Sequence, residues 1–237
     1  MENAVSIRNL SKAFGKTPVL KNLDLDLKKG EFTVIFGPNG AGKTTLLKLI
    51  ATLIEPGEGS LIINGLDSAE EPEKVRKEIG MLSHESYLYG ELTAEENLLF
   101  FGKMYGLGKQ ELETRTAYLL KEVGLETKAD ERVSTFSRGM KQRLSIARAL
   151  IHEPSLLLLD EPYTGLDPKA SSVFEHILKS PSFEGSSKIM VSHDLERGFA
   201  LCDRILVLKA GRIVYDGLKG DFPGFSEFKE ACAPLLA

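Results

Sequence analysis

The stretch Gly37-Pro38-Asn39-Gly40-Ala41-Gly42-Lys43-Thr44-Thr45 decides the fold of this chain. It fits the pattern G-x-x-x-x-G-K-[ST], a glycine-rich loop between a strand and a helix. The apolar run 33–36 leads into it as a buried strand, and apolar residues follow it at helical spacing: Leu46, Leu47, Leu49, Ile50, Leu53 and Ile54. Backbone N–H groups of such a loop converge on phosphates, and the helix N-terminus adds partial positive charge. The sequence therefore predicts a nucleoside triphosphate site.

Two side chains of this loop are expected to carry its chemistry. Lys43 supplies a point charge for the outer phosphates, and the Thr44 hydroxyl is placed to bind Mg²⁺. The alternative is a glycine-rich turn that fits the pattern by chance. That alternative leaves the register of strand, motif and helix unexplained.

Composition restricts the partners and the setting. The 237 residues suffice for one large domain or for a core with an inserted lobe, and the net charge of −4 comes with no visible basic face. We therefore expect no nucleic-acid partner. Cys202 and Cys232 have no metal-ligand spacing around them, which is typical of a reduced, cytosolic protein. Because no apolar stretch approaches the roughly 20 residues that span a bilayer, and no signal-peptide pattern is visible, we expect membrane contact only through a partner.

Two strand patterns precede the loop. Residues 5–10 alternate apolar and polar side chains, and residues 20–27 continue with the same period of two. These patterns predict an antiparallel β-layer, with residues 11–16 as the connection between its strands. Phe14 lies in this connection, and its local sequence alone fits a satellite core residue.

A helical stretch interrupts the α/β pattern after Leu92. Thr93 and Glu96 form a capping box, and Ser137 is a natural N-cap for a later helix. We therefore predict a helical insert at about 86–154 within a single nucleotide-binding domain spanning 1–237. The remaining parts of that domain are an α/β core at about 1–85 and 155–221 and a short C-terminal segment, 222–237.

A pair of carboxylates follows the apolar run 156–159. Such a run suits a central strand of a parallel sheet, whose ligands gather at the carboxyl ends of the strands. Successive side chains of a strand point opposite ways, so Asp160 and Glu161 are expected to have different roles. Asp160 suits the acidic partner of Mg²⁺, through water, opposite Thr44. Glu161 is placed to orient or deprotonate the water that attacks the γ-phosphate.

His193 ends another buried run, 188–192, and is placed to bind the γ-phosphate and to sense its presence. Each of these residues also has a purely structural explanation when taken alone. Acidic pairs often cap strands, and a single histidine is more often a satisfied surface or core residue. Their occurrence together with the phosphate loop favours a catalytic site.

The motifs together resemble the ATP-binding subunit of ABC transporters over essentially the whole chain. Residues 37–45 match the Walker A loop of that family, 156–161 its Walker B strand and 165–167 its D-loop. Phe14 matches the aromatic residue that stacks on adenine, and His193 the switch histidine. The resemblance implies a RecA-like α/β core with an antiparallel β-subdomain and an inserted helical subdomain. It also implies ATP and Mg²⁺ as cofactors and an ATPase coupled to transport.

The family signature is matched by Ser137, Gly139 and Gln142. In this family two subunits pack head to tail, so each ATP lies between one Walker A loop and the signature of the partner. The resemblance therefore implies a homodimer or heterodimer of ATPase subunits. It also implies integral membrane subunits as partners and a position on the cytoplasmic face of the cell membrane.

One position departs from the family pattern. The family usually carries glutamine where His84 stands, and that glutamine contacts Mg²⁺ and the attacking water and links the site to the membrane domain. His84 is therefore a candidate catalytic residue in an unusual form. The stretch 82–98 is similar to the ATPases of the cytochrome c maturation haem-exporter group, which favours a role in haem export.

Other functions stay open from the sequence. The chain also fits the ATPase of a drug, lipid or polysaccharide exporter, or a cassette protein that acts in assembly or on ribosomes. Ribosome factors usually carry two cassettes in one chain, and only one phosphate loop occurs here. A kinase or GTPase leaves the signature and the carboxylate pair unexplained. The cargo cannot be predicted, because the membrane subunits select it.

Overall fold

The structure is a computed structural model that describes residues 2–83, 85–180, 183 and 185–236. The chain forms two compact units, Met1–Met81 with Ser155–Glu161 and Ser186–Ala237, and Leu82–Pro154 with Pro162–Gly185. The stretch Pro162–Gly185, predicted from the sequence to lie in the α/β core, belongs to the second unit. The domain boundaries given above stay predictions.

The elements alternate in the order expected of an α/β chain with a helical stretch in its middle. The strands are β1 Asn3–Phe14, β2 Thr17–Lys28, β3 Phe32–Phe36, β4 Glu58–Ile63, β5 Leu66–Asp67, β6 Ile79–Leu82, β7 Leu156–Asp160, β8 Ser187–Val191, β9 Arg204–Lys209 and β10 Arg212–Leu218. The helices are α1 Lys43–Ile50, α2 Pro72–Glu78, α3 Ala94–Met104, α4 Lys109–Glu122, α5 Arg138–Leu150, α6 Pro168–Leu178, α7 Leu195–Leu201 and α8 Phe225–Leu236.

The strands form two sheets. The first has the order β2-β1-β4-β5 and is antiparallel, as the alternating patterns at 5–10 and 20–27 predicted. The second has the order β10-β9-β3-β8-β7-β6, with β9, β3, β8 and β7 parallel. Every residue of β3, β7 and β8 is buried, which suits central strands of a sheet covered on both faces. The carboxyl ends of these three strands meet at one edge.

An apolar core lies in the first unit and includes residues from both sheets and from α1. Ile7, Ile35, Leu47 and Leu158 are each at most 1% exposed within this cluster. Burying one such side chain contributes about 1.5–3 kcal/mol. The cluster therefore holds β3 and α1 in place, and these are the two elements that the phosphate loop connects.

The C-terminal helix α8 also supports this strand. Phe228 is fully buried, and its ring centroid lies 5.5 Å from that of Phe36, the last residue of β3. The ring of Phe36 also lies against Gly198 on α7, where an added Cβ would come within 2.5 Å of it. Phe36, the residue that precedes the loop, therefore packs against both α7 and α8.

The second unit is mainly helical. The predicted capping box is confirmed: the amide of Thr93 donates to Glu96 Oε2 at 2.8 Å, and the amide of Glu96 donates to Thr93 Oγ1 at 3.1 Å. Asn97 is buried, and its side chain bonds both the amide and the carbonyl of Tyr89. These bonds fix the entry to α3. None of the helices in the described ranges is long and apolar enough to cross a membrane.

Two local predictions were wrong in extent. The helix after the loop ends at Ile50, although the apolar spacing continued to Ile54. Thr52 has φ +55° and donates to the Leu49 carbonyl, while Leu53 donates to the Lys48 carbonyl, and this pair of bonds closes the helix as a Schellman motif.

The connection predicted at 11–16 is shorter than expected. Strands β1 and β2 continue towards each other until only Gly15 and Lys16 separate them. Phe14 is therefore the last residue of a strand rather than part of a loop. Its backbone pairs with Thr17, which fixes its position at the tip of a hairpin.

Candidate functional site

The predicted phosphate loop connects β3 to α1. At two of its positions the backbone conformation and the close approach of neighbouring atoms require glycine. Gly37 has φ +153°, and an added Cβ would lie 2.0 Å from the carbonyl oxygen of Leu208 on β9. Gly42 has φ +105°, and an added Cβ would lie 2.6 Å from a methyl carbon of Leu20. A side chain at either position would push the loop away from the strands that support it.

Lys43 is nearly buried and folds back into the loop. Its Nζ donates hydrogen bonds to the carbonyl oxygens of Gly37 at 2.7 Å and Pro38 at 3.0 Å. Burial lowers the pKa of its ammonium group, and the carboxylates of Glu161 and Asp160 act in the opposite direction. The loop thus holds a positive charge beside its own amides, as an anionic ligand requires.

Thr44 and Asp160 meet across the site. The Oγ1 atom of Thr44 donates to Oδ1 of Asp160 at 3.2 Å, and Asp160 is 3% exposed at the end of β7. Mg²⁺ prefers oxygen ligands and usually binds through one or two protein groups together with substrate phosphates and water. A hydroxyl and a carboxylate side by side at the start of a phosphate loop fit this donor set.

Glu161 and His193 form a second contact at the same edge. The Nδ1 atom of His193 lies 2.7 Å from Oε2 of Glu161, and the His193 amide lies 3.4 Å from the same oxygen. Glu161 has φ +50°, a conformation that costs roughly 1–2 kcal/mol for a residue with a Cβ. Its amide donates to the carbonyl of Val191 at 3.0 Å, which fixes this turn of the backbone.

An open pocket of about 440 Å³ joins these groups. Phe14 is 52% exposed at its rim, so the ring offers a π-face to a base in the pocket. The residues that line it are Phe14, Val19, Asn39, Gly40, Ala41, Gly42, Lys43, Thr44, Thr45, Asp160, Glu161 and Val191. The first unit thus brings together the predicted aromatic residue, most of the loop and both carboxylates. His193 joins them through its contact with Glu161.

The three signature residues belong to the second unit. Ser137 caps α5, because its hydroxyl accepts from the amide of Met140 at 3.3 Å. An added Cβ on Gly139 would meet no atom within 4 Å, so space beside the helix N-terminus is open. The side chain of Gln142 donates to the carbonyl of Pro162 at 3.3 Å. Gln142 therefore ties α5 to the stretch that follows the carboxylates.

Two residues at the pocket, Lys12 and Val19, were not predicted from the sequence. His84, the proposed replacement for the usual glutamine, is outside the described residues. Val19 lines the pocket, and the Lys12 ammonium lies over the Phe14 ring. The separation of two between Lys12 and Phe14 within a strand was the available signal, because such residues share a face.

Comparison with known proteins identifies the relatives of this chain. A sequence-family model described as "ABC transporter" matches residues 20–164. The ABC transporter ATP-binding protein NatA of Bacillus subtilis (strain 168) is 41% identical over 84% of this chain and 81% of its own length. The linearmycin resistance ATP-binding protein LnrL of the same organism is 40% identical over 90% of this chain and 68% of its own length.

A third relative is the Nod factor export ATP-binding protein I of Rhizobium meliloti (strain 1021), which is 39% identical over 90% of this chain. The match covers 64% of that protein, so the chain spans less than two thirds of its length.

Solved structures agree with the sequence relatives. A structure described as the ATP-binding subunit of an ABC transporter covers 99% of this chain and 100% of its own, with a TM-score of 0.91 and 32% identity. A dimeric, post-hydrolysis structure of the ATP-binding cassette MJ0796 with ADP and Pi covers 91% and 98%, with a TM-score of 0.83 and 31% identity. The predicted fold class, an α/β phosphate-loop core with a β-subdomain and a helical insert, is confirmed.

Proposed function

The chain belongs to the ABC transporter family as an ATP-binding subunit, and from this premise we propose which residues bind ATP, which hydrolyse it and what the subunit drives. The chain is an ATPase whose hydrolysis is coupled to transport, and subunits of its kind dimerise and act with membrane partners. The observation that carries the assignment of residues is the pocket that Phe14, the loop and the two carboxylates line together.

In this proposal, the triphosphate binds to the loop and the base binds to Phe14. The amides of residues 39–45 and the ammonium of Lys43 receive the phosphates. The exposed ring of Phe14 stacks on adenine. The geometry supports this division because ring and loop face the same pocket.

Thr44 and Asp160 would hold Mg²⁺, which would supply positive charge to neutralise the negative charge that develops on the outer phosphates. The Thr44 hydroxyl suits a direct oxygen ligand, and Asp160 suits a partner through water. The hydrogen bond of 3.2 Å between them supports this assignment, because it places both oxygens at one point of the site. Asp160→Asn should therefore weaken the dependence of ATP binding on Mg²⁺, while nucleotide binding without Mg²⁺ persists.

Glu161 is the proposed water-activating group, and His193 orients it. A carboxylate accepts the proton of a water molecule as that water attacks, provided that its oxygen is correctly aimed. The contact of 2.7 Å with His193 Nδ1 fixes one oxygen of Glu161 and leaves the other for water. The exposed imidazole of His193 is also available to the γ-phosphate.

The signature is proposed to complete the ATP site of a second subunit. The hydroxyl of Ser137 and the amides around Gly139 lie at the N-terminus of α5, and a helix N-terminus attracts anions. Gln142 supports that turn through its bond to the Pro162 carbonyl. The solved dimer of a related cassette supports pairing, and either a homodimer or a heterodimer satisfies this arrangement.

Gel filtration tests the shared site. Glu161→Gln should accumulate as a dimer with Mg·ATP, because binding persists while hydrolysis stops. Adding Ser137→Arg to this variant should leave a monomer that still binds ATP, since only the partner's site is blocked. A Glu161→Gln protein that is folded, binds ATP and stays monomeric would contradict the shared site.

The cycle of ATP binding and hydrolysis is proposed to drive a membrane partner, with the subunit on the cytoplasmic face of the membrane. The relative cbiO1 is described as part of the transporter complex cbiONQ, which supports such a partner. Tyr89, Phe100 and Met104 are exposed apolar residues of the second unit. The rings of Tyr89 and Phe100 lie 4.9 Å apart, and Met104 follows Phe100 by four positions on α3, so that these two share a helix face. Exposed apolar patches often mark protein contacts. Met104→Glu should reduce stimulation by the membrane partner and spare basal hydrolysis, whereas Tyr118→Glu on α4 serves as the control.

His84 is proposed to position water or to relay the ATP state to the partner. Neutral imidazole is a poor ligand for Mg²⁺, so His84 should contribute little to metal affinity. His84→Ala should keep Mg·ATP affinity within a few-fold and lower partner-stimulated hydrolysis, and His84→Gln should preserve most activity. A large loss of Mg·ATP affinity in His84→Ala would contradict this role.

The proposed direction of transport is export. Similarity of the stretch 82–98 to haem exporters supports haem as one cargo. The relatives named for linearmycin resistance and Nod factor export support a second candidate, an exporter of drugs, lipids or polysaccharides. Identifying the membrane subunits that co-purify with this chain decides between them. Haem-handling subunits favour the first candidate, and membrane subunits of a drug, lipid or polysaccharide exporter favour the second.

A further inference from the structure

Lys12 contacts the aromatic ring at the rim of the nucleotide pocket. Its Nζ lies over the ring of Phe14, 5.5 Å from the centroid. An ammonium within about 6 Å of a ring face is attracted by the ring quadrupole. The two residues are separated by two positions in β1, so their side chains project from the same face of the strand.

A second contact anchors the ammonium. Lys12 Nζ donates to the carbonyl oxygen of Glu55 at 2.5 Å, in the segment that follows α1. The backbone next to it is tied as well, because the amide of Gly57 donates to the carbonyl of Ser11 at 2.8 Å. In the ranges that the structure describes, no carboxylate pairs with Lys12. Its charge is therefore balanced by a carbonyl dipole and a ring face.

Phe14 itself has little other support. It lies at the tip of a two-stranded hairpin, and about half of it is exposed. A side chain in such a position samples several rotamers, and fixing it on ligand binding costs conformational entropy. A ring that is already fixed avoids this cost and binds a stacked base more tightly.

We propose that Lys12 is a positioning residue for the nucleotide base: it holds one face of the Phe14 ring and leaves the opposite face set to stack on a purine. This inference rests on the proposed function, which assigns the base to Phe14. Lys12 acts through the ring and makes no contact with the nucleotide.

The test compares ADP with pyrophosphate, which carries the same two phosphates without a base. Affinities of the full chain are measured by calorimetry for the wild type, Lys12→Met, Lys12→Arg, Phe14→Ala and the double variant Lys12→Met/Phe14→Ala. Lys16→Met is the matched control, because Lys16 lies in the turn of the same hairpin and contacts no ring within the described part of the chain. Thermal unfolding of each variant verifies folding, and Lys12→Gln replaces Lys12→Met if that variant fails to fold.

Lys12→Met is expected to weaken ADP binding about two- to five-fold, the range of an exposed cation–π contact. The affinity of Lys12→Met for pyrophosphate should equal that of the wild type, and Lys12→Arg should keep the wild-type affinity for ADP. In the Phe14→Ala background, Lys12→Met should cause no further loss of ADP affinity. An equal loss for ADP and pyrophosphate would overturn the proposal, because Lys12 would then act on phosphate charge. Full ADP affinity in Lys12→Met, with a loss in Phe14→Ala, would overturn it as well and leave the base assignment intact. Unchanged ADP affinity in Phe14→Ala would instead contradict the base assignment itself.

Discussion

The Nδ1 atom of His193 lies 2.7 Å from Oε2 of Glu161, although 32 positions separate the two residues. Glu161 directly follows β7, and His193 comes two residues after β8. Because β7 and β8 are parallel neighbours, their carboxyl ends meet and bring the two side chains together. The contact gives the proposed water-activating carboxylate one fixed orientation at the edge where the phosphate loop begins.

His193→Ala should slow hydrolysis without removing nucleotide binding. Loss of the group that aims Glu161 is expected to lower kcat by about tenfold or more, since general base catalysis depends on alignment. The KM for ATP should change by less than about threefold, because the loop and Phe14 still bind the nucleotide. Steady-state kinetics measure both, and His176→Ala on α6 is the control. A kcat like that of the wild type would show that Glu161 needs no such support.

Lys43→Met should change how stability depends on pH. Burial lowers the pKa of Lys43 in the folded chain below its unfolded value near 10.4. Between the two pKa values the unfolded chain binds more protons, so the cost of burying the charged lysine is full below the folded pKa and disappears as pH rises.

The unfolding free energy of the wild type, relative to Lys43→Met, should therefore increase as the pH rises from the lowered pKa of the folded chain towards the unfolded value near 10.4. Urea denaturation at several pH values measures the difference. If the difference in unfolding free energy is constant or falls with pH, the lowered pKa of a buried Lys43 is contradicted. Nucleotide binding by Lys43→Met should be weaker at every pH, because the charge that receives the phosphates is gone.

Gly198→Ala should destabilise the fold although alanine favours helix. The added Cβ would lie 2.5 Å from Cζ of Phe36, whose ring is held on another side by Phe228. Overpacking of this kind costs about 1–3 kcal/mol, against a gain of up to about 1 kcal/mol in helix propensity. We expect a net loss of about 1 kcal/mol or more in urea denaturation. Gly220→Ala, where an added Cβ meets no atom within 4 Å, should be neutral by comparison.

Both cysteines should resist thiol reagents in the native protein. Burial raises the pKa of Cys202 to about 11, and it also raises the pKa of Cys232. At pH 8 only about one part in a thousand of Cys202 is thiolate, and thiolate is the reactive form. A chromogenic disulfide reagent should therefore react slowly with the folded chain and with two thiols after unfolding. Rapid reaction of either thiol before unfolding would show that its site is open.

Local patterns predicted the parts of the fold that depend on neighbours in sequence. The capping box of Thr93 and Glu96 is a contact across three residues, and it forms as predicted. The stretch 37–45 follows β3 and runs into the first turn of α1, the strand and helix that its flanks predicted. The antiparallel layer also followed directly from the alternation of side chains.

Features that depend on distant contacts could not be read from the sequence. The helix after the loop ends at Ile50 because Thr52 adopts a left-handed conformation, which no propensity of threonine favours. The positive φ of Glu161 and the hydrogen bond of the Lys12 ammonium to the Glu55 carbonyl depend on how separate segments pack. The family resemblance indicated which residues belong to the site, and the structure adds how the described ones support each other.

The central claim is that the Glu161 carboxylate activates water for hydrolysis and is not needed for ATP binding. Glu161→Gln keeps the size and hydrogen-bonding shape of the side chain and removes the base, whereas Glu175→Gln on α6 is a surface control. Single-turnover hydrolysis of Mg·ATP, with ATP affinity measured on the same samples, separates chemistry from binding.

We expect Glu161→Gln to bind ATP within a few-fold of the wild type and to hydrolyse it at least about a hundredfold more slowly. Glu175→Gln should match the wild type in both measurements. Hydrolysis by Glu161→Gln at a rate close to that of the wild type would contradict the account, because the carboxylate that His193 holds would not be the group that activates water.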